Sequence, residues 1–99
     1  MNEPYASGDW VVMQGREKEF VERWNEFLEW TRTAFTECKS ARLLQDAEDS
    51  RHFVSFANWD SAEARQRWRS TPEFAQKFGV CRTLCDDFRG TDYTLSAMV

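Results

Sequence analysis

Arg51-His52-Phe53-Val54-Ser55-Phe56-Ala57-Asn58-Trp59-Asp60-Ser61-Ala62-Glu63-Ala64 is the stretch on which the fold turns. Its first nine residues are rich in β-branched and aromatic side chains and read as a strand. Successive strand side chains point to opposite faces, and both faces here are apolar: Val54 and Phe56 on one, Phe53, Ala57 and Trp59 on the other. Such a strand needs cover on two sides. Asp60 then stands where a helix cap belongs, and Glu63 three residues on completes a capping box. Ala62, Ala64, Arg65, Gln66, Arg67 and Trp68 continue that helix to about Ser70.

Upstream, Ala41-Arg42-Leu43-Leu44-Gln45 is a second β-prone run, joined to the first by the polar Asp46-Ala47-Glu48-Asp49-Ser50, a connection suited to a hairpin. Before it, over residues 16–37, Phe20, Val21, Trp24, Phe27, Leu28, Thr31, Ala34 and Phe35 recur at spacings of three and four, one stripe of an amphipathic helix. Asp9-Trp10-Val11-Val12-Met13 reads as an initial strand, with Gln14-Gly15 as a flexible turn into the helix. Downstream, Thr71-Pro72-Glu73 restarts a helix, with Thr71 as cap, Pro72 in the first helical position and an acid where the helix dipole favours one. Phe74, Phe78, Cys81, Cys85 and Phe88 form its stripe, Arg89-Gly90 end it, and residues 91–99 alternate as a closing strand. The order strand, helix, strand, strand, two-piece helix, strand is the ferredoxin-like split βαβ arrangement, an α+β fold with a four-stranded antiparallel sheet. Its helices cover one sheet face, and a bare apolar second face is an association surface, so a second copy of the chain is the economical cover.

With 99 residues, the expectation is one domain spanning 1–99. The 15% aromatic content argues for a packed core over disorder. Net charge is −4 with acids and bases interleaved, so no basic stripe is present to bind nucleic acid. Residues 1–8 have neither a basic nor an apolar leader region, and no apolar run is long enough to cross a bilayer. A cytoplasmic protein with no membrane partner is expected. Three cysteines, Cys38, Cys81 and Cys85, suit a reducing compartment and default to structural thiols.

The pattern Gly15-x4-Phe20-x3-Trp24, then Asn58-Trp59-Asp60-Ser61-x-Glu63-Ala64, then Trp68-x-Ser70-x-Pro72-Glu73-Phe74 resembles the antibiotic biosynthesis monooxygenase family over nearly the whole chain. The resemblance implies a dimeric α/β barrel, in which two sheets pack face to face, and a pocket within one protomer between sheet and helices. It implies a cofactor-independent oxidation of a small aromatic or quinol. Here the pocket would draw on Trp24, Trp59, Trp68 and Phe78. The family's haem-degrading branch has a helix tryptophan, matched by Trp68, but its proximal histidine falls on Phe78, which cannot ligate iron, and its first-strand asparagine falls on Gly8 or a close neighbour. The alternative to a monooxygenase is a non-catalytic binder of a small hydrophobic ligand or haem.

Of the residues that could do chemistry, His52 is a general base for a phenol or, more blandly, a polar residue at a strand entrance. Asn58 is a hydrogen-bond donor to a carbonyl or oxyanion, or a plain strand-end residue. Cys81 and Cys85, one helical turn apart, are a metal or redox pair or, more simply, core packing. One histidine makes no metal site, and neither a dinucleotide nor a phosphate-loop fingerprint occurs, so no metal or cofactor is expected. An oxygenase of this kind takes its electrons from the substrate.

Overall fold

The computed structural model describes residues 2–99, in which β1 (Pro4–Val12), α1 (Glu17–Ala34), β2 (Cys38–Gln45), β3 (His52–Trp59), α2 (Ala62–Arg69), α3 (Pro72–Thr83) and β4 (Cys85–Thr94) follow one another. All three neighbouring pairs in the sheet are antiparallel, in the order β2-β3-β1-β4. This is the ferredoxin-like α+β arrangement. The chain turns from β1 into α1 at Gly15, whose φ of +87° is the left-handed region that glycine enters without a steric cost. On α1 the buried side chains are Phe20, Trp24, Phe27 and Thr31, four positions of the stripe read from the sequence.

The first strand begins at Pro4, earlier than expected from Asp9, because its polar N-terminal half is held by ladders on both sides, Tyr5 facing Asn58 and Tyr93. The helix after β3 is capped by Ser61, not by Asp60. Its Oγ accepts the Ala64 amide at 3.1 Å, while Asp60 turns to Lys39 at 3.4 Å. Thr71 caps α3 as expected, accepting the Phe74 amide at 3.1 Å and donating to the Trp68 carbonyl at 2.9 Å, which sets the corner between α2 and α3.

The end of the chain departs most from expectation. Helix α3 stops at Thr83, and Cys85 and Phe88 lie on β4, not on a helical stripe; the last strand is Cys85–Thr94, not 91–99. A β-bulge explains the misreading. Val12 faces Cys85 and Val11 faces Asp87, so Asp86 is an extra residue, and Cys85 and Phe88 point to the same face although three apart. A spacing of three, the mark of a helix, is produced here by a strand. Asp86 meets the Arg51 guanidinium.

Alternation sorts the sheet. Trp10, Val12, Phe53, Trp59 and Phe88 face the helices and build the core with Phe20 and Trp24. On the opposite face lie Tyr5, Leu44, Val54, Phe56 and Tyr93, of which Leu44 and Tyr93 are about half exposed. No helix among the described residues is long and apolar enough to cross a membrane.

Candidate functional site

A cavity of about 400 Å³ lies between the helix-facing side of the sheet and the three helices, within the range of small-molecule sites. The sequence makes it by omission. Across the sheet, cross-strand partners line up in rows. The row Phe53, Trp10, Phe88 is large, while the two next rows are Leu43, Ser55, Gly8, Gly90 and Ala41, Ala57, Ala6, Asp92. Small side chains over two rows leave a hollow that the helices roof over without filling.

The roof is aromatic. Trp24, Phe27 and Leu28 of α1, Trp68 of α2 and Phe74 and Phe78 of α3 line it. Phe74 and Phe78 stack at 5.1 Å, Phe27 stacks on Trp68 at 5.7 Å, and Phe78 meets Phe88 edge-on at 5.1 Å. Trp68 is fixed by its indole N–H, which donates to Thr31 Oγ1 at 3.0 Å; that hydroxyl donates in turn to the Phe27 carbonyl at 2.9 Å. The roof is therefore a rigid set of ring faces and edges, the environment that flat aromatic molecules prefer.

The mouth is charged. Asp92 holds the Arg69 guanidinium through both oxygens, one at 2.8 Å, and Arg65 stands 3.5 Å away. Arg69, first among the causes, keeps the Asp92 carboxyl below the usual carboxylate range. Two guanidiniums against one carboxylate leave one positive charge beside the opening.

Three of the four aromatics expected in a pocket line this cavity: Trp24, Trp68 and Phe78. Trp59 does not. It is fully buried behind Trp68, with ring centroids 4.9 Å apart, because its strand-end position puts it under the α2 corner. His52 and Asn58 also lie away from it, since their alternation places them on the opposite sheet face. His52 bridges Asp46 and Asp9 at 2.9 and 2.7 Å. Asn58 Oδ1 finds no hydrogen-bond partner among the described residues. The cysteines are buried and free, and burial pushes the thiols of Cys81 and Cys85 up to about 12 and about 11, which keeps them protonated and unreactive at neutral pH.

Sequence reasoning missed Ser55, Gly90, Arg69 and Asp92. Two glycines inside strands were a usable signal, because glycine in a strand often marks a close approach of some other group.

The sequence profile of the antibiotic biosynthesis monooxygenase family matches residues 10–78, most of the chain and all of the cavity lining except Ala6, Ser7 and Gly8 of β1 and the residues of β4. The chain belongs to the antibiotic biosynthesis monooxygenase family. No curated protein matches it. Among solved structures, SnoaB, a cofactor-independent oxygenase from Streptomyces nogalater, superposes with a TM-score of 0.90 at 17% identity, covering 100% of this chain and 98% of SnoaB. An antibiotic biosynthesis monooxygenase structure gives 0.78 at 19% identity, with 97% and 99% covered. A conserved protein of Methanosarcina mazei gives 0.85 at 15% identity, with 94% and 92% covered. At these identities the likeness establishes the fold, and the chemistry has to be argued from the site.

Proposed function

We propose that this family member is a cofactor-independent monooxygenase of a small, electron-rich aromatic such as a phenol or quinol, working as a homodimer. The observation that carries the reading is the cavity itself: an aromatic-roofed slot of about 400 Å³ with small residues below and a net positive charge at its mouth. The similarity to SnoaB, itself a cofactor-independent oxygenase, supports it.

The chemistry asks little of the protein beyond binding and field. Arg69 and Arg65 favour the phenolate over the phenol, so the proton leaves to water at the mouth without a dedicated base. The electron-rich ring then gives electrons to dioxygen, a C–O bond forms at a hydrogen-bearing ring carbon ortho or para to the oxygen, and the O–O bond breaks. One oxygen atom stays as the new quinone carbonyl, the other leaves as water with the ring hydrogen and the phenol hydrogen, and all four electrons come from the substrate. The slot's part is to hold the ring flat and keep water from the reacting carbon.

Oxygen uptake measured against a panel of quinols and hydroxylated naphthalenes tests this. Turnover above background, with one ¹⁸O atom from labelled dioxygen retained in the quinone, is the expected outcome. Background rates across the whole panel would defeat it.

A second reading, a non-catalytic binder of small hydrophobic ligands, draws on the cavity lining, which has no histidine, cysteine, tyrosine or methionine. The same donor set does not fit haem ligation, since Phe78 stands in the wall where an iron ligand would be needed. Binding without oxygen consumption would favour this reading.

A further inference from the structure

We infer that the Ser55 hydroxyl is the hydrogen-bond donor that orients the ligand, selecting planar aromatics that carry a ketone or phenol oxygen at the end facing Ser55. The inference rests on the proposal that the cavity takes aromatics and names which ones. Three hydroxyl residues border the cavity, Ser7, Thr31 and Ser55. Each hydroxyl has one proton to donate. Thr31 gives its proton to the Phe27 carbonyl, and Ser7, whose side chain alternation turns to the opposite sheet face, gives its proton to the Thr91 carbonyl at 2.9 Å. Ser55 only accepts, from the Trp10 indole N–H at 3.0 Å, and its proton meets no acceptor among the described residues.

That arrangement aims the proton. Trp10 is a donor only, so the Ser55 hydrogen cannot point at it and turns to another side. Ser55 is nearly buried on a central strand, and the open space beside it is the cavity. The Trp10–Ser55 bond also runs across the bare Cα of Gly8. A Cβ built there would lie 2.6 Å from Trp10 Nε1 and 2.8 Å from Ser55 Oγ. Gly8 therefore makes room for the Trp10–Ser55 pair and for the Phe88 ring, which also covers its cross-strand partner Gly90, and so seats the free proton on the cavity floor. The Trp24 indole N–H, on α1, is the competing donor, having no acceptor among the described residues either.

The probes are naphthalene, 1-naphthol and 1,4-naphthoquinone, with binding followed by tryptophan fluorescence quenching. Wild type should bind the two oxygenated compounds more tightly than naphthalene. Ser55→Ala should weaken them by about fivefold to tenfold, the worth of one net hydrogen bond, and leave naphthalene unchanged. Trp24→Phe should leave the discrimination intact. An infrared readout separates orientation from mere packing: the carbonyl stretch of bound 1,4-naphthoquinone should lie lower in wild type than in Ser55→Ala. Equal affinities for all three probes in wild type, equal loss across the probes in Ser55→Ala, or an unmoved carbonyl stretch would each overturn the assignment. Quinone binding with this discrimination but no oxygen uptake would instead defeat the monooxygenase proposal and leave Ser55 in place.

Discussion

His52 is held between two carboxylates, Nδ1 on Asp46 and Nε2 on Asp9, at 2.9 and 2.7 Å. Both contacts are favourable only when both ring nitrogens carry protons, so the imidazolium is preferred and the pKa rises above its ordinary 6.5, through Asp46 first and Asp9 second. A raised folded-state pKa contributes stability that is fully present below the unfolded value and is lost as pH climbs through the folded one. Asp46, lowered mainly by His52, marks the acid side, where its contribution fades as the carboxylate protonates. Denaturant unfolding of wild type and His52→Gln should therefore show a gap that is widest near pH 6 and closes towards pH 9, smaller in high salt because the groups face solvent. A gap of the same size at both pH values would refute the imidazolium account. In the sequence, His52 was legible as a polar residue at a strand entrance; Asp46 and Asp9, six and forty-three positions away, could not be joined to it without the sheet register. Ser55 was harder still, since a serine in a strand carries no signal until the bonds of its neighbours have been traced.

Among the elements, the strands decide more than the helices. The amphipathic stripe of α1 and the Thr71 cap of α3 were plain in the sequence because each is a local pattern. Strand β4 was not, because its outward positions are polar and its bulge sets Cys85 and Phe88 at a helical spacing. The cavity floor depends on a non-local match of small residues across four strands, which no window along the chain contains. Gly8→Ala tests that floor. The new methyl would press on Trp10 Nε1, Ser55 Oγ and Phe88 Cε1, the last at 3.0 Å. Two of the three contacts are with side chains locked in the core, so stability should fall by about 1–3 kcal/mol, the usual cost of overpacking. Thermal unfolding would measure this, and quinone binding should be lost along with it. A variant as stable as wild type with unchanged binding would mean that the row of small residues does not shape the floor.

For the molecule as a whole, the two-faced strand of the opening stretch has become a two-faced sheet. Helices α1, α2 and α3 all lie on one side; the other side carries Leu44, Val54, Phe56, Tyr5 and Tyr93, with Asp9, Arg42 and Arg89 among and around them. Four strands at about 4.8 Å spacing and roughly eight residues of length give a face of about 500 Å² in projection. Once side-chain relief is counted, that approaches the surface one partner contributes to a standard interface. An apolar strip with charged margins is also how interface cores and rims are composed. A two-fold dimer burying this face on itself is the proposal, and light scattering at micromolar concentration should give a mass near twice the 11.7 kDa of one chain. Phe56→Arg places a second guanidinium beside Arg42, its cross-strand partner, and does so twice across a two-fold axis. It should drive the mass down to a single chain, while naphthalene still binds in the cavity on the opposite side of the sheet. A wild-type mass of one chain, or a Phe56→Arg mass that does not move, would leave the exposed face without its proposed cover.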